Sequence, residues 1–498
     1  MPDVTFWLPT LSVELQALIR AAYGVLMLAT LGAALPHARR YFMSERWGGY
    51  AVSGRLVDAL LNPVVVPVVL VAWIAAALGL ALGSAVLPSA AVNVACCYYF
   101  FNRLRWQSVS RGMGAPGFMS LWLGAGVLLL EFTTAHAPAV RALALLTLQL
   151  DFAGIMLSAG LYKLAAGYRR NLGMELGMAN PEWGYWSSFW SAWHPKHPLF
   201  RFLNEMAWGT EVVCGLLMLV PGTRALGGAG ILLSFFFIAS QIRLGFLCEM
   251  VMVCCLLFFG AGSLVDLAAV WLAHTVGLPL AAPGLPAPAV LQAALNSALW
   301  VYLGLLPLVR AGMFYNQLRH RPLPAPWQRA LDLYANTFGL ILWRVFTADV
   351  VNFFVRVWEQ PATGARRLLS EFRLTGPYRF SQVAECIALT SVFTTLKYYP
   401  SNRMLFESRL LRYARTMPRQ AASSLVFEWV SVAPRPGRFE YVPVAEFLVG
   451  ADAKTVVETT LTDEISVRAV AGVSPVHEGA RPGSYAPLAD PRSPIPDP

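Results

Sequence analysis

The chain has 498 residues, 57% of them hydrophobic and only 13% charged, and carries a formal charge of +10. Soluble domains hold about a quarter charged residues, so half that share leaves too little polar surface to wrap a water-soluble globule of this size. The positive excess, with no basic run interleaved with aromatic residues, fits loops that meet anionic lipid and excludes a nucleic-acid partner.

The apolar residues fall in long blocks, and about nine approach the ~20 residues needed to cross a bilayer core. They cover 15–35, 60–85, 89–101, 117–135, 142–164, 206–220, 225–240, 246–273 and 289–309. The third, sixth and seventh are short, and Gly260 and Gly262 are expected to break or kink the eighth. The acid-bearing segment before the first block lacks a basic signal-peptide start, so the first span is expected to serve as its own insertion signal. Arginines then cluster after every second block: Arg39, Arg40, Arg46 and Arg55; Arg103, Arg105 and Arg111; Arg169, Arg170 and Arg201; Arg243; Arg310, Arg319 and Arg321. The intervening loops are nearly bare. This alternation places the N-terminus outside and the C-terminus in the cytoplasm.

The expected fold is therefore mainly α: a polytopic transmembrane helical bundle over 1–312, with a Trp-rich re-entrant loop at 165–205. Residues 313–360 read as an amphipathic interfacial helix, with Leu331, Tyr334, Phe338, Ile341 and Leu342 at helical spacing. A small α+β cytoplasmic domain follows over 361–470. Its strands are expected at 425–432, 439–449 and 454–461 and a short basic helix at 403–415. The Pro-rich segment 471–498 has the composition of a disordered tail.

Chemistry-bearing residues concentrate at the end of the fifth block and in the loop beyond it. Trp183, Trp186, Trp190 and Trp193 fall within a dozen residues. They read either as an aromatic belt anchoring a re-entrant segment or as a lid over a cavity between helices, beside Tyr162. Lys163 either snorkels to the interface or, desolvated, serves as a general base. The acids Glu131, Asp151, Glu211, Glu249 and Asp266 fall inside predicted spans, Glu211 most centrally. Such acids need partners or a role, and Arg20, Arg224, Arg243 or backbone donors are the expected partners. His194 and His197 are flanked by prolines and lack a nearby Cys or Glu, so no metal site is expected. The seven cysteines form no CxxC and read as small buried hydrophobes. Phosphate-loop, GxSxG, HExxH and dinucleotide signatures are absent.

Ala159-Gly-Leu-Tyr-Lys-Leu164, the following Gly173-Met-Glu175, the Trp- and Pro-rich loop and the Glu211-bearing span together resemble the HTTM family, which includes vitamin K-dependent gamma-carboxylase and many bacterial membrane proteins. Leu342-Trp-Arg-Val-Phe346 resembles a further element of that family, and the similarity covers roughly the first 360 residues. The lipase maturation factor family, with its own GLxKL helix, is a second likeness. The HTTM resemblance implies a bacterial inner-membrane protein in which Lys163 is the base, acting with a membrane quinone or lipid. A non-catalytic accessory or maturation subunit of a larger membrane complex, with lipids and other membrane subunits as partners, is the alternative. The residues leave open which of the two holds.

Overall fold

The computed structural model describes residues 8–35, 64–103, 114–165, 168–170, 173–281, 284–319, 323–338, 340, 348–370, 383–398, 402–417, 419–420 and 422–462. The Leu342–Phe346 element, the 471–498 tail and many of the loop arginines lie outside these residues.

The bundle helices run in chain order as α1 (Val13–Ala34), α2 (Val65–Leu82), α3 (Val86–Cys97), α4 (Gly114–His136) and α5 (Pro138–Ala165), then two short loop helices, α6 (Met174–Ala179) and α7 (Ser187–Ser191). They continue as α8 (Pro198–Leu219), α9 (Arg224–Gln241), α10 (Leu247–Cys255), α11 (Leu264–Val276) and α12 (Ala289–Arg319). Among the described residues, seven helical stretches are long and apolar enough to cross a membrane: Val13–Ala34, Val65–Leu82, Gly117–His136, Pro138–Ala165, Pro198–Leu219, Pro221–Gln241 and Ala289–Asn316. The 89–101 block forms the shorter α3. The 246–273 block divides into α10 and α11, and the break falls at the two glycines. Gly262 takes φ +83° there, and its N–H donates to Asp266 at 2.7 Å.

Burial follows the logic of a bilayer. Val68, Leu233, Phe236, Trp271 and Leu308 are each more than 60% exposed, while Arg20, Glu131, Asp151, Lys163 and Glu211 are buried. Water would penalise that apolar belt; lipid does not. With no hydrophobic effect to bring helices together in lipid, packing relies on close backbone approach and internal polar contacts. Gly160 of α5 supplies the approach: a Cβ there would lie 2.8 Å from the Trp208 carbonyl oxygen on α8. Gly215 repeats it, with a Cβ 2.9 Å from the Leu157 nitrogen. Polar contacts supply the rest. Trp73 Nε1 donates to Asn93 Oδ1 (2.8 Å), Asn93 Nδ2 to the Tyr23 hydroxyl (2.6 Å), and that hydroxyl to the Ser120 carbonyl (2.6 Å), joining α1 to α4.

The segment expected as one interfacial helix over 313–360 is not a single helix. A helix, α13, spans Ala325–Phe338, a short α14 spans Ala348–Val351, and Phe353–Gln360 is strand β1. In Phe353-Phe-Val-Arg-Val-Trp-Glu-Gln360, Val355 and Val357 are fully buried on one face while Arg356 and Trp358 turn to the other. That two-residue period, with β-branched and aromatic residues, favours a strand. β1 joins β2 (Arg367–Ser370), β3 (Ser424–Pro434), β4 (Phe439–Val449) and β5 (Val456–Thr460) in an antiparallel sheet of order β2-β1-β3-β4-β5. Helices α15 (Val383–Tyr398) and α16 (Arg403–Thr416) cover the sheet through Phe393 and Phe406, which meet Phe447 edge-on at 5.5 and 5.1 Å.

The domain docks on the loop side of the bundle. Asn180, just past α6, donates from Nδ2 to the carbonyls of Val351 and Phe353, each at 2.8 Å. The Tyr441 hydroxyl of β4 donates to the Ala179 carbonyl at 2.7 Å, and Phe439 meets Phe200 of α8 edge-on at 6.1 Å.

Candidate functional site

Lys163 lies in the last turn of α5, where a long side chain usually reaches outward along the interface. It turns inward instead. The glycine contacts hold α5 against α8 closely enough for Lys163 Nζ to donate to Glu211 Oε1 at 2.6 Å, and the two residues are 4% and 2% exposed. Tyr162, beside the lysine, is buried as well. Glu211 Oε2 is buried and has no hydrogen-bond partner among the described residues.

A polar column continues from this pair toward the docked domain. Tyr168, in the turn after α5, is fully buried within electrostatic reach of both Glu211 and Glu175, and burial and those carboxylates push its hydroxyl well above the ordinary range. Glu175 of α6 accepts from Asn204 Nδ2 at 2.6 Å and from the Gly173 N–H, while Asn204 Oδ1 accepts from the Met174 N–H at 2.8 Å. Burial raises the Glu175 carboxyl above its ordinary value, and the Asn204 bond opposes that rise. Cys248 of α10 is also within electrostatic reach of Lys163.

The sequence reading does not single out Tyr168, Glu175, Asn204 or Cys248 as site residues. One signal was present: Asn204 and Glu211 are seven residues apart, two turns on one helix face.

The four tryptophans divide. Trp183 is buried in the core. Trp186 Nε1 donates to the Ser240 carbonyl (3.0 Å) and Trp190 Nε1 to Gln241 Oε1 (3.1 Å), at the end of α9. Trp193 packs on Trp190 at 5.2 Å and on His197 at 4.6 Å, at the start of α8. His197 and Glu211 are fourteen residues apart on α8, roughly 20 Å at 1.5 Å per residue. The outer three rings thus brace the loop against the ends of α8 and α9, away from the turn of α8 that carries Glu211. His194 and His197 each accept a backbone N–H through Nδ1, at 3.1 and 3.2 Å. Among the described residues no cluster of His, Cys, Asp or Glu side chains is arranged to hold a metal.

The remaining intramembrane acids show what a completed pair looks like. Asp151 accepts from Arg310 Nη2 (2.5 Å), Trp122 Nε1 (2.9 Å) and the Tyr302 hydroxyl (2.8 Å), so both of its oxygens are satisfied. Glu131 accepts from Arg20 at 3.3 Å, one of the cations the sequence offered as partners for the buried acids. Asp151 pairs with Arg310, and the Arg243 guanidinium lies 5.4 Å over the Tyr185 ring. Asp266 accepts from Ser12 and from backbone at the start of α11. Glu211 and Glu249 differ from these, each with a buried Oε2 that no described residue contacts by a hydrogen bond.

No family model, curated protein or solved structure matches this chain.

Proposed function

We propose that this is a membrane-embedded enzyme in which Lys163 and Glu211 transfer a proton to and from a lipid-soluble substrate, with a quinone or lipid as the co-reactant class that the HTTM likeness suggests. The observation that carries this reading is the half-satisfied pair. Buried polar atoms in folded proteins nearly always have a hydrogen-bond partner, and one left without calls for an explanation such as a bound ligand or chemistry. Asp151 has three donors; Glu211 has one, and its second oxygen faces no partner.

As it stands, Lys163 donates to Glu211, and an ammonium has no lone pair with which to take a proton. Base catalysis therefore begins with transfer of one proton from Nζ to Glu211. The neutral amine then accepts a proton from the substrate carbon or oxygen acid, and Glu211, through the Oε2 that carries no hydrogen bond, hands its proton to the co-reactant or back to the substrate anion. The buried setting strengthens these exchanges by excluding water.

The topology that accompanies this reading has nine crossings in a bacterial inner membrane, with the N-terminus outside and the docked domain cytoplasmic, α3 and the α10–α11 pair supplying the two shorter passes. Single cysteines placed in the 84–88 turn and in the C-terminal domain test it: an impermeant maleimide applied to intact cells labels the former and spares the latter, and the reverse pattern rejects the orientation.

The functional reading is tested by purifying the protein from native membranes and analysing bound small molecules by mass spectrometry. The wild type carries a lipid-soluble redox or carrier compound near one per chain, and the Lys163→Met/Glu211→Met protein loses it at equal folded yield. Identical contents in the two proteins overturn the reading. The accessory-subunit alternative draws on α12, whose apolar window is only 11% buried and leaves a long face for a neighbouring subunit.

A further inference from the structure

A second incomplete acid lies outside this column. α1, α9, α10 and α11 enclose an open groove of about 560 Å³, walled by Ala22 and Leu26, Leu232, Met252 and Leu256, and Leu272. Glu249 is its one charged residue. It lies partly buried, with Oε2 unpartnered among the described residues. A pocket of several hundred cubic ångströms suits a single extended chain or drug-sized molecule, and the apolar walls admit only something that arrives through lipid.

The position of the acid sets the orientation of such a molecule. Glu249 falls in the first turn of α10, two residues past its start, whereas Met252, Val253 and Leu256 carry the wall roughly 10 Å further along the helix. The groove thus has one anionic end beside the loop face and one long apolar run away from it. A buried carboxylate oxygen left without a hydrogen bond in such surroundings is costly, and its complement is a cationic hydrogen-bond donor attached to a hydrocarbon chain.

We propose that this groove is a binding site for an amine-headgroup phospholipid, phosphatidylethanolamine, whose ammonium donates to Glu249 while one acyl chain lies between α1, α10 and α11. The proposal is independent of the role given to Lys163 and rests only on the bundle lying in a bilayer.

The test reconstitutes the full chain in nanodiscs of phosphatidylcholine doped with equal fractions of phosphatidylethanolamine or phosphatidylglycerol, and counts the lipids retained after release by native mass spectrometry. Phosphatidylcholine has the same phosphate and glycerol but no N–H donors. The wild type retains phosphatidylethanolamine about tenfold over phosphatidylcholine, the ratio a single hydrogen bond to a charged group supplies. Glu249→Gln abolishes that preference, Glu249→Asp keeps part of it, and Ala22→Phe, which fills the groove, lowers retention of every lipid. A reading on unaltered protein accompanies these: phosphatidylethanolamine protects Glu249 from dicyclohexylcarbodiimide, and phosphatidylcholine does not. Equal retention of the two zwitterionic lipids, preference for phosphatidylglycerol, or a preference that survives Glu249→Gln each overturns the proposal.

Discussion

At the scale of single residues, the bundle's chemistry turns on which buried charges are completed and which are not. Lys163 and Glu211 were legible in the sequence because ionisable residues are rare within apolar blocks. Their partnership was not, since the two lie 48 positions apart and nothing in either block shows that α5 and α8 pack at Gly160 and Gly215. Tyr168 was not legible as a site residue, because its burial is a property of the packed turn. Glu175 offers a pH signature of the column. Burial raises its folded value above the ordinary 4.5, so the folded state holds that proton more tightly than the unfolded chain. The stability contributed by this proton is present below about pH 4.5 and is lost as pH rises through the raised value. The melting temperature in detergent is accordingly expected to fall over that interval, and Glu175→Gln to flatten the fall; an unchanged slope in the variant places the titration elsewhere.

At the scale of elements, the sequence gives helices well where an apolar block is long and continuous, and fails where two periods meet. The 313–360 reading carried a helical spacing from Leu331 to Leu342 onward into Phe353–Gln360, where the alternation of Val355 and Val357 with Arg356 and Trp358 had already changed the period. By contrast the strands at Ser424–Pro434 and Phe439–Val449 were plain, being set off by Pro434-Arg-Pro-Gly437, in which Gly437 takes φ +97°. The attachment of α12 was the least legible, because it rests on side chains from three separate helices. Asp151 receives Arg310 and Tyr302 from α12 and Trp122 from α4. Asp151→Asn leaves the Arg310 charge buried without a counterion, a change of about 3–5 kcal/mol for pairs of this kind. Hydrogen exchange is expected to rise along α12 and α13 while α8 and α9 keep their protection; uniform loss across the bundle contradicts a local clasp.

At the scale of the whole molecule, the same two facts recur: an apolar exterior over a charged interior, and a C-terminal sheet-and-helix domain seated on the loop that closes the polar column. Asn180 and Tyr441 make that seating, and α6, which they hold, also carries Glu175. Composition made the membrane character readable from the start, whereas the docking could not be read, since its contacts join residues 171 to 262 positions apart. The central claim is that the Lys163–Glu211 pair performs chemistry and is not merely a brace. Replacing both residues with methionine in the full chain tests it directly, because well-packed apolar side chains can replace a buried pair with little loss of stability. Thermal unfolding of the Lys163→Met/Glu211→Met protein is expected to match the wild type within about 1 kcal/mol, while the gene carrying both changes fails to complement a strain lacking it. A double variant that folds equally well and complements fully would show the pair to be structural.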